Sequence, residues 1–332
     1  MHFLILGGTH YVGRLVAEQA LARGHQVTVF NRGSKPPPAG AQALVGDRLA
    51  PDGYAALSGL FFDAVIDTWA GNASAVKRAV AALRGRTKHY AFVSSIGVYD
   101  HAASPAPYDE TSALRDVDKT PVVYFRDKLR SEREAVTSGV PTLIVRPGLI
   151  VGPGETTPGR LPWWLRRMER GGATMAPGPR DLALQFIDGR DLAAFLVDGA
   201  ERRLEGAFDA VSSIGHITME GLLEAVNEAV GGRASLQWVD GDKVASAVLG
   251  KRMEIPLWFP KEHVAIFQST GKKAAEAGLK VRPATETIKD TWDWVVASGW
   301  KIGDGPAGVP EDVEATILKQ HAELSKDKTG SQ

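Results

Sequence analysis

The chain has 332 residues, carries 39 Lys plus Arg against 39 Asp plus Glu, and contains no cysteine. That length suggests about two domains and can bury a core without staples, and the balanced charge supplies no field to attract nucleic acid or anionic lipid. The missing thiols exclude disulfides, thiolate metal sites and a cysteine nucleophile. The apolar fraction of 44% and charged fraction of 23% are those of an ordinary globular protein. The opening MHFLILGGTH lacks the basic start and small-residue cleavage site of a signal peptide. No run approaches the ~18 uninterrupted apolar residues of a membrane span. A cytoplasmic protein without membrane or nucleic-acid partners is expected. The eight histidines show no ligand-like spacing, so no metal is expected.

Residues 3–6, 27–30, 43–45, 64–67, 90–94 and 142–145 are short apolar runs without strict alternation. Such runs suit strands covered on both faces. Between them lie helical stripes, one through Val12, Leu15, Val16 and Ala20, another through Val76, Val80 and Leu83. This alternation predicts an α/β fold with a doubly wound parallel Rossmann sheet in residues 1–150. After Arg146-Pro147-Gly148 the texture changes to a loop-rich stretch carrying Trp163, Trp164 and Met168. A strand over 183–187 and a helix over 190–203 follow, then strands over 207–211 and 236–239 around a helix over 219–230. Residues 151–300 are read mainly as a smaller C-terminal substrate domain, with 183–205 returning to the first. Residues 301–332 are read as a polar tail with one helix and a frayed end.

The segment Gly7-Gly8-Thr9-His10-Tyr11-Val12-Gly13 runs from a strand through a turn into a helix. Glycines there allow a tight turn and a close approach of backbone N–H groups to a pyrophosphate at the helix N-terminus. His10 stands where a glycine is usual. The second strand ends Asn31-Arg32-Gly33. An NAD-preferring site places an acid there, whereas Arg32 would pair with a 2′-phosphate, so NADP(H) is expected over NAD(H).

Tyr124 and Lys128 stand four apart in a helix read over 122–137, and therefore share a face. An adjacent ammonium stabilises phenolate and lowers the phenol's ordinary pKa of about 10 toward working pH. Ser94 and Ser95 end the fifth strand, where open α/β sheets bind ligands, although serine also closes strands for purely local reasons. Trp163 and Trp164 either line a substrate pocket or pack in a core.

With these motifs in order, the chain resembles the extended or atypical short-chain dehydrogenases/reductases, the superfamily that includes UDP-galactose 4-epimerase. The match runs through Gly46-Asp47-Arg48, Val93 to Tyr99, Tyr124 to Lys128, Arg146-Pro147-Gly148 and Gln185 to Asp188, reaching about residue 298. The resemblance implies that Ser95, Tyr124 and Lys128 are catalytic, with Lys128 also binding the nicotinamide ribose and Ser94 beside them. It puts Asp47 and Arg48 near adenine, lines the cofactor with Thr68, Trp69 and Ala70, and brings the backbone after Pro147, including Gly148, to the nicotinamide. Dehydratases of the family carry acids where Ile96 and Gly97 stand, which disfavours sugar-nucleotide dehydration. Arg126 and Asp127 replace small residues, and a local salt bridge is the simple expectation. The leading expectation is an NADP(H)-dependent reductase of a small-molecule carbonyl, with a homodimer expected from the family. Alternatives are a nucleotide-sugar epimerase using NAD and a cofactor-sensing or RNA-associated protein. The glycine turn and Asn31-Arg32-Gly33 also resemble chloroplast stem-loop-binding proteins.

Overall fold

A computed structural model describes residues 1–103, 105–248, 253–303 and 307–329. In chain order the elements begin β1 (His2–Leu6), α1 (Tyr11–Ala22), β2 (Gln26–Asn31), β3 (Gln42–Val45), β4 (Ala64–Asp67), α2 (Ser74–Leu83), β5 (Tyr90–Val93), α3 (Val123–Ala135) and β6 (Thr142–Pro147). There follow β7 (Leu149–Val151), α4 (Arg160–Glu169), β8 (Gly172–Pro177), β9 (Ala183–Leu184), β10 (Phe186–Asp188), α5 (Gly189–Glu201) and β11 (Gly206–Ala210). The rest are β12 (Ile217–Thr218), α6 (Met219–Ala229), β13 (Ala234–Val239), α7 (Gly241–Val248), α8 (Lys272–Glu276), α9 (Ala284–Ser298) and α10 (Glu311–Thr329). No described helix is long and apolar enough to cross a membrane.

The chain divides into two compact units. The first comprises Met1–Ile150, Ile187–Ser212 and Gln268–Val281, and the second Val151–Phe186, Ser213–Phe267 and Arg282–Gln332. The first unit is built on a seven-stranded sheet in the order β11-β6-β5-β4-β1-β2-β3. Every registered pair in it is parallel. Alternate residues of each strand feed opposite faces. Phe3, Ile5, Ile66, Ala91 and Val145 pack with α1 and α5, while Leu4, Leu6, Val65, Tyr90 and Phe92 pack with Val76, Ala79 and Val80 of α2. Burial on both faces is why these strands lack a polar alternation. The carboxyl ends of β1, β4, β5 and β6 therefore share one edge of the sheet, from which the site is built.

Several boundaries differ from expectation. The run at 183–187 is two short strands, β9 and β10. The returning segment starts at Ile187, extends to Ser212, and is joined by a second return at Gln268–Val281. Residues 311–329 are a helix docked in the second unit, where the buried Glu314 accepts hydrogen bonds from Arg167 Nε (2.6 Å) and the Met175 amide (3.0 Å). The frayed end expected at 330–332 lies outside the described residues.

Candidate active site

The glycine turn is a cradle that side chains would fill. Gly7 has φ of 100°, and a Cβ there would stand 2.6 Å from Thr68 Oγ1. A Cβ on Gly13 would come within 2.3 Å of the Gly7 carbonyl oxygen. Helix α1 thus sits against the turn with its first amides uncovered by side chains, the geometry that receives a pyrophosphate. His10 has φ of −133° and ψ of 139°, an extended conformation open to any L residue, so the missing glycine costs no strain there. The strained residue is its neighbour Tyr11, at φ of 27°. The Tyr11 hydroxyl lies 3.2 Å from where a Cβ on Gly189 would be, so α5 approaches this turn through a glycine.

At the end of β2, Asn31 Oδ1 accepts a hydrogen bond from the Gly33 amide (2.6 Å), which shapes the turn that exposes Arg32, Ser34 and Lys35. Asp47 is exposed and accepts from the Leu49 amide. Arg48, placed near adenine by the family resemblance, turns its side chain inward instead. It is buried, and its two terminal nitrogens donate to both oxygens of Asp67 at 2.7 and 2.6 Å. Its guanidinium also stacks over Trp69, 4.9 Å from the ring. Any contact of Arg48 with a nucleotide would therefore run through its backbone. Thr68 Oγ1 donates to the Leu6 carbonyl beside the glycine turn, and Ala70 is exposed.

Helix α3 brings Tyr124 and Lys128 together as their spacing requires. The Lys128 ammonium lies 5.7 Å from the Tyr124 ring centre and 4.9 Å from that of Phe92. Tyr124 is 41% exposed whereas Lys128 is 3% exposed. Lys128 Nζ donates to the carbonyls of Trp69 (2.6 Å) and Val93, at the ends of β4 and β5. Burial pushes its pKa down to about 7, against the pull of Asp67 and Glu132. An ammonium has three donors, so one remains for another acceptor. Arg126 and Asp127 make no ion pair among the described residues, and Arg126 Nε is buried without a hydrogen-bond partner. The local salt bridge expected for them is not formed, because neighbours in a helix point to different faces.

The two serines separate cleanly. Ser94 is buried, and its hydroxyl donates to Glu132. Ser95 is half-buried, caps the turn at Ile96–Val98 and accepts from the Gly97 amide at 3.1 Å. Its own proton has no acceptor among the described residues. Gly97 is required where it stands, since a Cβ would meet the Phe125 ring at 2.1 Å. Gly148 follows β6, and its amide donates to the Ala210 carbonyl.

Behind the site runs a buried polar chain that sequence reasoning missed. Arg146 grips Glu132 through two nitrogens (3.0 and 2.8 Å) and donates to the Tyr99 hydroxyl (2.8 Å). Tyr99 donates to Asp209 Oδ1 and Ser269 to Asp209 Oδ2, each at 2.7 Å. Burial pushes the Asp209 pKa up to about 7 from an ordinary 3.8. The folded state therefore binds this proton more tightly, and the contribution of Asp209 to stability falls as pH rises between those values. Asp209→Asn keeps the shape and one acceptor oxygen for Tyr99, and its amide can donate to Ser269 Oγ in a reversed bond, so it should be more stable than the parent near pH 8, by about 1–3 kcal/mol, and equal to it near pH 4. Denaturant melts at the two pH values check this; an Asn variant weaker at the higher pH would refute it.

Trp163 and Trp164 are not on a loop. Both lie in α4 of the second unit, 4% and 0% exposed, edge to face at 4.8 Å. Trp164 Nε1 donates to the Pro256 carbonyl (2.7 Å), and Gly308 packs so closely on Trp163 that a Cβ would overlap its indole. Trp164 is a core residue, whereas Trp163, though buried, also lines a small cavity with Pro158, Gly159 and Trp300. Among the described residues no cluster of three or more His, Asp or Glu could hold a metal ion.

The site thus defines a dinucleotide-binding Rossmann protein. Residues 7–163 match the family of NAD(P)H-binding domains. The chloroplast stem-loop binding protein of 41 kDa b from Arabidopsis thaliana is 30% identical over 246 residues, 69% of this chain and 63% of that protein. The chain therefore spans less than two thirds of the length of that curated relative. A provisionally named epimerase from Burkholderia cenocepacia J2315 shares the fold with a TM-score of 0.70 at 21% identity, over 89% of this chain and 98% of that one. The UDP-glucose 4-epimerase of Thermotoga maritima does so at 0.68 and 16% identity, over 90% and 99%. Residues 7–163 thus match an NAD(P)H-binding domain, and the chain shares its fold with structures of epimerase type.

Proposed function

We propose that this chain is an NADP(H)-dependent reductase of a small-molecule carbonyl. The observation that carries the reading is an accessible phenol, Tyr124, directly over a buried ammonium, Lys128, at the carboxyl edge of the sheet. The turn at Gly7, Gly8 and Gly13 packs so closely on Thr68, Val29 and its own backbone that only glycine fits at each position, the tight turn at a helix N-terminus that a dinucleotide pyrophosphate requires. When bound, the nicotinamide supplies the hydride. Tyr124 gives its proton to the carbonyl oxygen, and the Ser95 hydroxyl donates a hydrogen bond to the same atom. The charge of Lys128 stabilises the phenolate left behind, and its third donor is available to a ribose hydroxyl. Ser94, committed to Glu132, takes no part in the proton transfer.

Preference for NADP(H) rests on Arg32, exposed with Ser34 and Lys35 at the end of β2. Arg32→Asp should weaken NADPH binding by about 2–3 kcal/mol, through loss of a charge-assisted contact and gain of repulsion, and leave NADH nearly untouched. Fluorescence titration with each nucleotide reads this, and equal losses would refute it. The reaction itself is tested by following oxidation of NADPH against a panel of ketones and aldehydes; silence across the panel would count against reduction.

A second reading has support in the name of the curated relative, a stem-loop binding protein. Salt-sensitive RNA binding without redox activity would favour it. The epimerase reading draws on the shared fold, and would be marked by tightly held oxidised NAD with no net NADPH consumption. Exposed Val122, Val123 and Val136 along α3 support a homodimer in any of these cases.

A further inference from the structure

Lys128 lies between two buried carboxylates, each held by its own arginine. On one side Asp67 is fully buried, doubly bonded to Arg48, and accepts from the Tyr90 hydroxyl (2.6 Å). Its Oδ1 also accepts from the Trp69 amide (2.9 Å), and the carbonyl of that same Trp69 receives the Lys128 ammonium. On the other side Glu132, one helical turn beyond Lys128, is doubly bonded to Arg146 and accepts from Ser94. Ser94 directly follows Val93, whose carbonyl is the second acceptor of Lys128. Each carboxylate therefore pins the backbone that grips the amine.

We infer that Asp67 and Glu132 are positioning residues for Lys128, fixing its two carbonyl acceptors and supplying the negative charge that keeps it an ammonium. The inference rests on the reading that Lys128 serves Tyr124. An isolated amine at this depth would shed its proton, since desolvation disfavours the charged form. The groups that act on it are Asp67 and Glu132, which favour charge, Arg48, which opposes it, and the faces of Phe92 and Tyr124. Each buried carboxylate is paired with its own arginine through two hydrogen bonds. The result is a row of alternating charge, Arg48, Asp67, Lys128, Glu132, Arg146, across the ends of β4, β5 and β6.

The test is a titration of Lys128 by carbon NMR on lysine labelled at Cε, with Lys128→Met used to assign the resonance. Glu132→Gln keeps shape and an acceptor for Arg146; Asp67→Asn does the same for Arg48. In either variant the Lys128 midpoint should fall by about one pH unit or more, roughly a tenfold loss of proton affinity. The alkaline limb of kcat/KM for NADPH-driven reduction should move down with it. An unmoved midpoint in folded Glu132→Gln protein would overturn the inference, whatever Asp67→Asn does. So would a parent protein whose Lys128 is already a neutral amine at pH 6, a measurement that needs no variant. A midpoint that moves in a protein without reductase activity would retain the charge row and remove the reductase.

Discussion

Tyr124→Phe should cut carbonyl reduction by about two to four orders of magnitude while leaving NADPH affinity within about twofold, the range expected for removing a general acid. The substitution deletes one hydroxyl and keeps the ring. That ring packs edge to face on Phe125 at 5.5 Å and lies 5.7 Å from the Lys128 ammonium, so helix α3 loses no apolar contact. Tyr124 is 41% exposed and not part of the core, and the substitution should shift stability by no more than about 0.5 kcal/mol. Steady-state turnover and a fluorescence titration with NADPH separate the two effects. Turnover at the parent rate would end the proposed mechanism, whereas loss of both turnover and cofactor binding would point to a structural role.

Gly13→Ala should abolish most dinucleotide binding and destabilise the fold, even though helix propensity argues the other way. Alanine in a helix interior is favoured over glycine by about 1 kcal/mol. Here the new methyl would lie 2.3 Å from the Gly7 oxygen, 2.9 Å from its carbonyl carbon and 3.2 Å from Gly8 Cα. All three are backbone atoms of the phosphate turn, so no side chain can rotate away. Helix α1 must lift from the turn, at a cost of about 1–3 kcal/mol for overpacking, which exceeds the gain in propensity. The displaced amides should lower NADPH affinity by more than about tenfold. Unchanged stability and affinity would show that α1 does not sit as described.

The parallel sheet was readable because both of its faces are covered, which leaves runs such as Phe3 to Leu6 and Ala64 to Ile66 wholly apolar. The glycine turn and the four-residue step from Tyr124 to Lys128 were readable because local geometry fixes them. The partners of Lys128 were not. Trp69, Val93 and Asp67 meet it only after the strands are aligned, and nothing in their spacing forecasts that, whereas Glu132 stands one helical turn away on the same face of α3. Arg48 is the instructive case, since position beside Asp47 suggests a nucleotide ligand while its side chain is spent on Asp67. The tryptophan pair was misplaced for a different reason. Pro162 and the nearby glycines signal a loop, but proline is tolerated in a first helical turn, which is where α4 holds it.

The first unit is assembled from three separated stretches of chain, and this sets the order in which it can be completed during synthesis. When residue 150 has left the ribosome, six of the seven strands exist, yet α5 and β11 have not been made. The faces of β4, β5 and β6 that later receive Leu192, Phe195 and Leu196 are then bare hydrocarbon. Until the chain has also delivered Ile187–Ser212, the nascent nucleotide-binding half is an unfinished, adhesive surface, and its shielding by chaperones is a matter of translation time as much as of final stability.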